Sequence, residues 1–321
     1  MFSVSRRTLL AAAAAAACGC AAAQAAAPVA GRQTPGLYRY RIGDFELTAI
    51  NDGVWHRPID AAFVRNAAFA DVRLAMADAF MPVGDTLPLP LTMVLVNTGA
   101  SLILIDTGTG GQIGPSAGAL LANLAAAGIA PEAIDAVVIS HFHFDHIDGL
   151  KTKDDARVFP NAEILIPAPE WRFWMDDANL RAAPEPRKRE FLNARRIMRG
   201  LDRETRQFNP GDEVLPGITS LPAFGHTPGH AVFAVSSGAA TVLVLGDTTD
   251  HPALFVRHPQ WQPANDMDGP QAAQTRMRLL DRSAADRMLV QGYHFPFPGV
   301  GRILRRGTGF DFLPAQWQPQ L

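Results

Sequence analysis

The stretch "AVVISHFHFDHIDGL" (136–150) decides how this chain is read. A run of small apolar residues stops at Ser140, and His141, His143, Asp145 and His146 follow within six positions, with Asp148 just behind. Folding alone does not call for so many titratable groups at the mouth of a buried strand. Such groups at a strand end are placed there for chemistry.

The same arrangement recurs along the chain. "LILIDTG" sets Asp106 after an apolar strand, and "GHTPGH" sets His226 and His230 after another. Asp247 follows "TVLVLG", and His294 follows "MLVQGY". Imidazole and carboxylate hold zinc and similar metals when thiols are absent. One closed tetrahedral ion needs four ligands. His141, His143, Asp145, His146, His226, Asp247 and His294 suit two ions sharing a carboxylate, about 3.5–4 Å apart, with room for a water between them. Pro228-Gly229 breaks any helix that would put His226 and His230 on one face.

Working outward, "LYRYRIGDFELTAINDG" (37–53) reads as two short strands around Gly43-Asp44, and "LTMVLVNTGASLILIDTGTGG" (91–111) as a hairpin turning at Asn97-Thr98-Gly99. "GPSAGALLANLAAAGI" (114–129) reads as a helix opening at Pro115, with Leu120, Leu121 and Leu124 on one face and Gly128 as its stop. "AEILIPAPE" gives a strand leading into a helix with Trp171 and Trp174, and a further hairpin turns at Ser237-Gly238. "PQAAQTRMRLLDRSAAD" is a helix and "RMLVQGYHFPFPG" a last strand and loop. Two blocks of strands followed by helices predict an α/β fold with two sheets packed face to face and helices outside.

The chain has 321 residues, 48% of them apolar, ample for one large core. A formal charge of −2 and a pI near 6.5 point to neither nucleic acid nor an anionic membrane surface as partner. The basic run at 181–206 carries acids at helical spacing and reads as a solvated helix face, not a phosphate site. "SRRTLLAAAAAAACGCAAAQAAA" (5–27) has Arg6 and Arg7 before an Ala-rich stretch too short to span a bilayer. It looks like a twin-arginine export signal, cleaved near Ala23 or Ala27, which implies a periplasmic or secreted bacterial protein. Both cysteines, Cys18 and Cys20, lie inside it, so the exported chain has no thiol for a disulfide, a nucleophile or a zinc site.

H-x-H-x-D-H as "HFHFDH", then "GHTPGH", "LGD" and a late His, resembles the signature set of the metallo-β-lactamase superfamily. The segments at 105–146, "FPNAEILIP" and "HFPFPGVGRI" are most similar to the methyl parathion hydrolase group and its lactonase-like relatives. The resemblance implies an αββα sandwich of two mixed sheets over 37–321, after a signal at 1–27. It implies that His141, His143 and His226 hold one divalent ion, that Asp145, His146 and His294 hold the other, and that Asp247 bridges them. Zinc is expected, with manganese, cobalt or ferrous iron also suited to these ligands. Asp106 would orient a ligand histidine, Asp145 would also shuttle a proton, and Ile113, Trp174 and Phe191 would line an apolar substrate pocket. The implied reaction is attack of a metal-activated hydroxide on a small ester, lactone or organophosphate triester, with a homodimer as the candidate assembly. A lactam-cleaving enzyme and a silent metal-bearing signal binder are the alternatives. Ile113 replaces a Phe and Asp250 a Leu of the methyl parathion hydrolase pattern, which weighs against triesters.

Replacing both Arg6 and Arg7 with Lys is expected to trap folded precursor in the cytoplasm, read by fractionation and immunoblotting; undiminished export of that variant removes the twin-arginine reading.

Overall fold

Strands that are apolar on both faces need cover on both, and this requirement organises the molecule. The computed structural model describes residues 29–31, 33–201 and 203–320, so Arg6, Arg7 and both cysteines lie outside the described residues. Pro35–Leu321 gathers into one compact unit, in which fourteen strands form two sheets of seven. The first runs β1 (Leu37–Ile42), β2 (Phe45–Pro58), β3 (Thr86–Asn97), β4 (Leu102–Ile105), β5 (Ala136–Val138), β6 (Glu163–Pro167) and β7 (Thr205–Phe208) in simple order. It is antiparallel up to β4 and parallel from there on. The second comprises β8 (Glu213–Leu215), β9 (Ile218–Pro222), β10 (Ala231–Ser237), β11 (Ala240–Val244), β12 (Leu289–Gln291), β13 (Val300–Arg306) and β14 (Gly309–Pro314). Its one parallel pair is β11 with β12.

Alternation along the strands builds three layers of core. On β4, Ile103 and Ile105 face the second sheet while Leu104 faces outward. On β5, Ala136 and Val138 face inward and Val137 outward. Between the sheets these residues meet Ile218, Phe233, Val235, Val242 and Val244. Outside the first sheet pack Leu120, Leu124, Trp174, Phe191, Ala194 and Ile197; outside the second, Leu279 and Leu280 of the helix Gly269–Ala285. This is the αββα sandwich that the strand pattern predicts.

Three elements depart from that pattern. The helix after Gly114 begins at Leu120, not Pro115, and Leu121 is exposed. A bulge in β2 between Asn51 and Gly53 holds the intervening segment: Val54 N–H donates to Ser116 O at 2.8 Å, Gly118 N–H to Asp52 O at 2.8 Å, and Leu120 N–H to Asp52 Oδ1 at 2.9 Å. Gly118 sits at φ +105, which helical backbone cannot use. The strand at Leu289 is followed by a further hairpin, β13–β14, whose arginines Arg302, Arg305 and Arg306 are exposed and break the apolar signal. Residues 181–206 are not only a solvated face. The helix Glu185–Met198 carries ion pairs such as Lys188–Glu185 at 2.6 Å, yet it buries Phe191, Ala194, Ile197 and Met198 in the core.

Trp174 and Phe191, expected to line a substrate pocket, are 0% and 1% exposed, with ring centroids 4.7 Å apart. Trp174→Ala is therefore expected to cost about 3–5 kcal/mol of stability in urea unfolding, as a large core truncation does. A variant as stable as the parent returns Trp174 to the pocket wall.

Candidate metal centre

The sequence-predicted cluster converges at one edge of the sandwich, where strand ends of both sheets meet. The segment after β5 supplies His141 and His143, and the short helix Phe144–Ile147 supplies Asp145 and His146. The turn before β10 brings His226, the end of β11 leads to Asp247, and the loop after β12 brings His294. His141, His143, His226 and Asp247 offer ligand atoms within 4.8 Å of one another, and so do Asp145, His146, Asp247 and His294. Asp247 belongs to both groups. Its Oδ2 lies 3.8 Å from His141 Nε2, 3.4 Å from His226 Nε2 and 3.2 Å from His294 Nε2, while its Oδ1 lies 3.1 Å from His146 Nε2. Asp145 Oδ2 is 3.7 Å from His146 Nε2 and 3.6 Å from His294 Nε2.

Four of the five imidazoles have the opposite ring nitrogen occupied, which aims them. His146 Nδ1 is 2.8 Å from Asp106 Oδ2, and Asp106 also accepts from the Ser140 amide and hydroxyl, each at 2.8 Å. His141 Nδ1 meets Ser140 Oγ at 3.0 Å, and His294 Nδ1 meets Pro90 O at 2.9 Å. His226 Nδ1 meets Asp266 Oδ1 at 2.9 Å, and Asp266 is itself paired with buried Arg276 at 3.0 Å. Asp106 thus contacts the outer nitrogen of a candidate ligand histidine. Asp266 does the same for His226, and its sequence context, "PANDMDG", carries no motif that marks it.

His230 is not in the cluster. It stands behind it, accepting the Asp247 amide at Nε2 (3.2 Å) with Nδ1 on Ala223 O (3.0 Å), and burial drives its pKa down to about 3. Tyr293 is buried in the core cluster outside the first sheet; it lies just beyond the end of β12, stacks on His146 with ring centroids 4.0 Å apart and donates to the carbonyl of Asp145. Asp148 is buried, accepts from Asn193 Nδ2 at 2.6 Å, and is pushed up to about 7 by burial. His56 is exposed on β2, His251 caps a short helix and His258 stacks on Trp261 at 4.1 Å; none belongs to either ligand group.

The donor set fits metal ions. His146 Nε2 and Asp247 Oδ1 are buried without a hydrogen-bond partner, and both face the shared space. Burial of unpaired polar atoms is costly unless something else satisfies them. Nitrogen and oxygen donors without sulfur suit zinc and its neighbours in the transition series. Burial opposes charge on all these groups, yet the surrounding carboxylates, Asp247 foremost with Asp145, Asp106, Asp266 and Asp250, outweigh it at His146, His226 and His294, and the last two rise to about 10 and about 9. His141 and His143 lack that compensation, and burial and neighbouring imidazoles lower them well below the usual value. The centre is thus built to gather positive charge around one carboxylate.

A profile of the metallo-beta-lactamase superfamily matches residues 87–292. The chain belongs to that superfamily. It is similar to AidC, a dizinc quorum-quenching lactonase solved with its product N-hexanoyl-L-homoserine (27% identity, 88% of this chain and 99% of that one, TM-score 0.83). It is similar to the hydrolase AbOPH as well (26% identity, 89% and 100% coverage, TM-score 0.84). Probable metallo-hydrolases of Mycobacterium bovis and Mycobacterium tuberculosis are 30% identical over 181 residues, 50% of this chain. The chain spans about half the length of these curated relatives, 56%.

A cavity of about 360 Å³ opens onto the centre, reaching His143, Asp145, Asp247 and His294. Trp55, Leu89 and Phe144 form its apolar wall; Arg57, Asp250, Arg187 and Glu190 bring charge to its rim. Ile113, Trp174 and Phe191 do not line it. Ile113 packs against the outer core, and Trp174 stands behind His143 with rings 6.3 Å apart. Phe295, next to His294 in the chain, is buried in the core of the second sheet.

Asp106→Asn keeps the shape beside His146 and removes the charge. Metal retention against a chelator is expected to weaken by roughly 10–100-fold, the range for losing such a partner. Unchanged retention removes the orienting role.

Proposed function

We propose that this protein is a hydrolase of small lactones and esters that works with two divalent ions, zinc foremost, one in each His/Asp group. The observation that carries this is the Asp247 carboxylate, common to both groups and open to the cavity. Divalent ions held there supply an acidified water and polarise the substrate's carbonyl. Asp247, reaching both groups, fixes their separation. Asp145, with Oδ2 between His146 and His294 and its side chain at the cavity, is within reach to take a proton from the attacking water and return it to the leaving oxygen. Trp55 and Phe144, edge to face at 5.2 Å, exclude water from one side of the reacting group.

A lactone fits this cavity better than an aryl phosphotriester. The buried Arg57–Asp250 pair, 3.3 Å apart, gives the wall a polar face suited to an amide or ester oxygen, where a triester's bulky aryl group needs apolar contact. Similarity to the dizinc lactonase supports the same reading. Closeness to methyl parathion hydrolase remains a proposal that the triester arm of the assay decides.

Zinc-loaded protein assayed with an N-acyl homoserine lactone, a p-nitrophenyl ester and a paraoxon-type triester is expected to turn over the first two fastest. Asp247→Asn is expected to lower turnover by roughly a hundredfold and to loosen one ion. Fastest turnover of the triester overturns the substrate preference. If the metal-loaded parent hydrolyses none of the three, the reading as a silent signal binder replaces this one.

A further inference from the structure

Glu170 is the third residue of the helix Ala168–Met175, fully buried, and is not a member of either ligand group. Four donors converge on its carboxylate. The Thr227 hydroxyl donates to Oε1 at 2.5 Å and the Phe142 N–H to the same oxygen at 3.2 Å; Trp174 Nε1 and Gly229 N–H each reach Oε2 at 3.2 Å. Every donor adjoins a candidate ligand. Phe142 lies between His141 and His143, Thr227 follows His226, and Gly229 closes the same turn. Trp174 sets its ring edge-on to the His143 imidazole.

An acid is an expensive way to fill a core, since burial opposes its charge. An apolar residue of similar size would fill the space without that cost. It would leave the Phe142 and Gly229 amides unpaired, and both lie in irregular segments with no strand partner for those groups. Gly229 also leaves no room for slack: a Cβ there would fall 2.2 Å from Glu170 N. The helix start and the "GHTPGH" turn are in direct contact.

We propose that Glu170 is a positioning residue of the metal centre, its carboxylate tying the His141–His143 segment to the His226 turn and so setting how these three imidazoles face one another. The other group is braced separately: Asp106 on His146, Pro90 O on His294 and Tyr293 on the Asp145 carbonyl. None of Glu170's four bonds reaches it. Glu170 therefore acts on one ion and not on its neighbour. The inference rests on the reading that both groups hold metal, and not on the substrate.

The test uses zinc-loaded full-length protein and Glu170→Gln, with zinc alone as probe and a chelator in competition to give two dissociation constants. The amide keeps the size but can accept on one side only, leaving the Phe142 N–H or the Gly229 N–H without an acceptor. The ion held by His141, His143 and His226 is expected to weaken by roughly 10–100-fold, the other by less than about threefold. Thr227→Val removes one donor and leaves the carboxylate, and is expected to weaken the same ion by a smaller factor. Glu170→Asp, a shorter acid, is expected to recover part of the loss. Equal weakening of both ions is what a plain core defect would give, and it overturns the proposal, as does no weakening of either. Should Glu170→Gln fail to fold, Thr227→Val alone decides: loss confined to one ion supports the proposal, and no loss or equal loss overturns it. A parent that binds no zinc overturns this proposal together with the functional one. Zinc uptake without hydrolysis of any substrate overturns the functional reading alone.

Discussion

Five buried histidines around one buried carboxylate form an arrangement that water-excluded protein cannot hold without a counterweight. Asp247 is that counterweight. It sits between the two halves of the site, and the imidazoles of His141, His146, His226 and His294 all lie within 4 Å of its oxygens. Strand ends of both sheets must reach this point, so the sandwich has to close where β5, β11 and β12 finish and β10 begins. The amide of Asp247 is held by His230, and the backbone there is irregular, so the carboxylate is fixed from behind as well as in front.

The fold and the convergence of the His/Asp cluster could be read from the chain because both have strong local signals. Ile103, Leu104 and Ile105 are apolar without interruption, which only a strand covered on both faces tolerates. "HFHFDH" packs ligands at a spacing no core requires. Other features depend on partners far away in sequence. The start of the helix at Leu120 is set by Asp52, nearly seventy residues earlier, whose side chain accepts the Leu120 amide. The β13–β14 hairpin is masked by arginines that an exposed edge permits.

The cavity wall was the least legible part. Resemblance carried Trp174 and Phe191 across as pocket residues, but a matched position does not carry its surroundings with it. Here Trp174 gives its indole N–H to Glu170 and its edge to His143, so this aromatic stands behind the candidate metal centre and not at the cavity wall. The actual lining draws on Pro184, Pro186, Arg187 and Glu190 at the start of one helix, and on Trp55 and Arg57 at the far end of β2. Nothing local in those segments distinguishes a rim from a solvated surface. Only the tertiary arrangement does.

Asp106 has a further consequence. Its φ of +61 places it in left-handed backbone, which among residues with a side chain Asn and Asp tolerate best. Its oxygens meanwhile serve Ser140 and His146, which calls for an acceptor with charge. The backbone narrows the usable alphabet at this position to a few letters, and the chemistry then narrows those few to one. A designer redrawing this loop would find that the shape of the chain and the tuning of the imidazole cannot be varied independently, because a single letter encodes both.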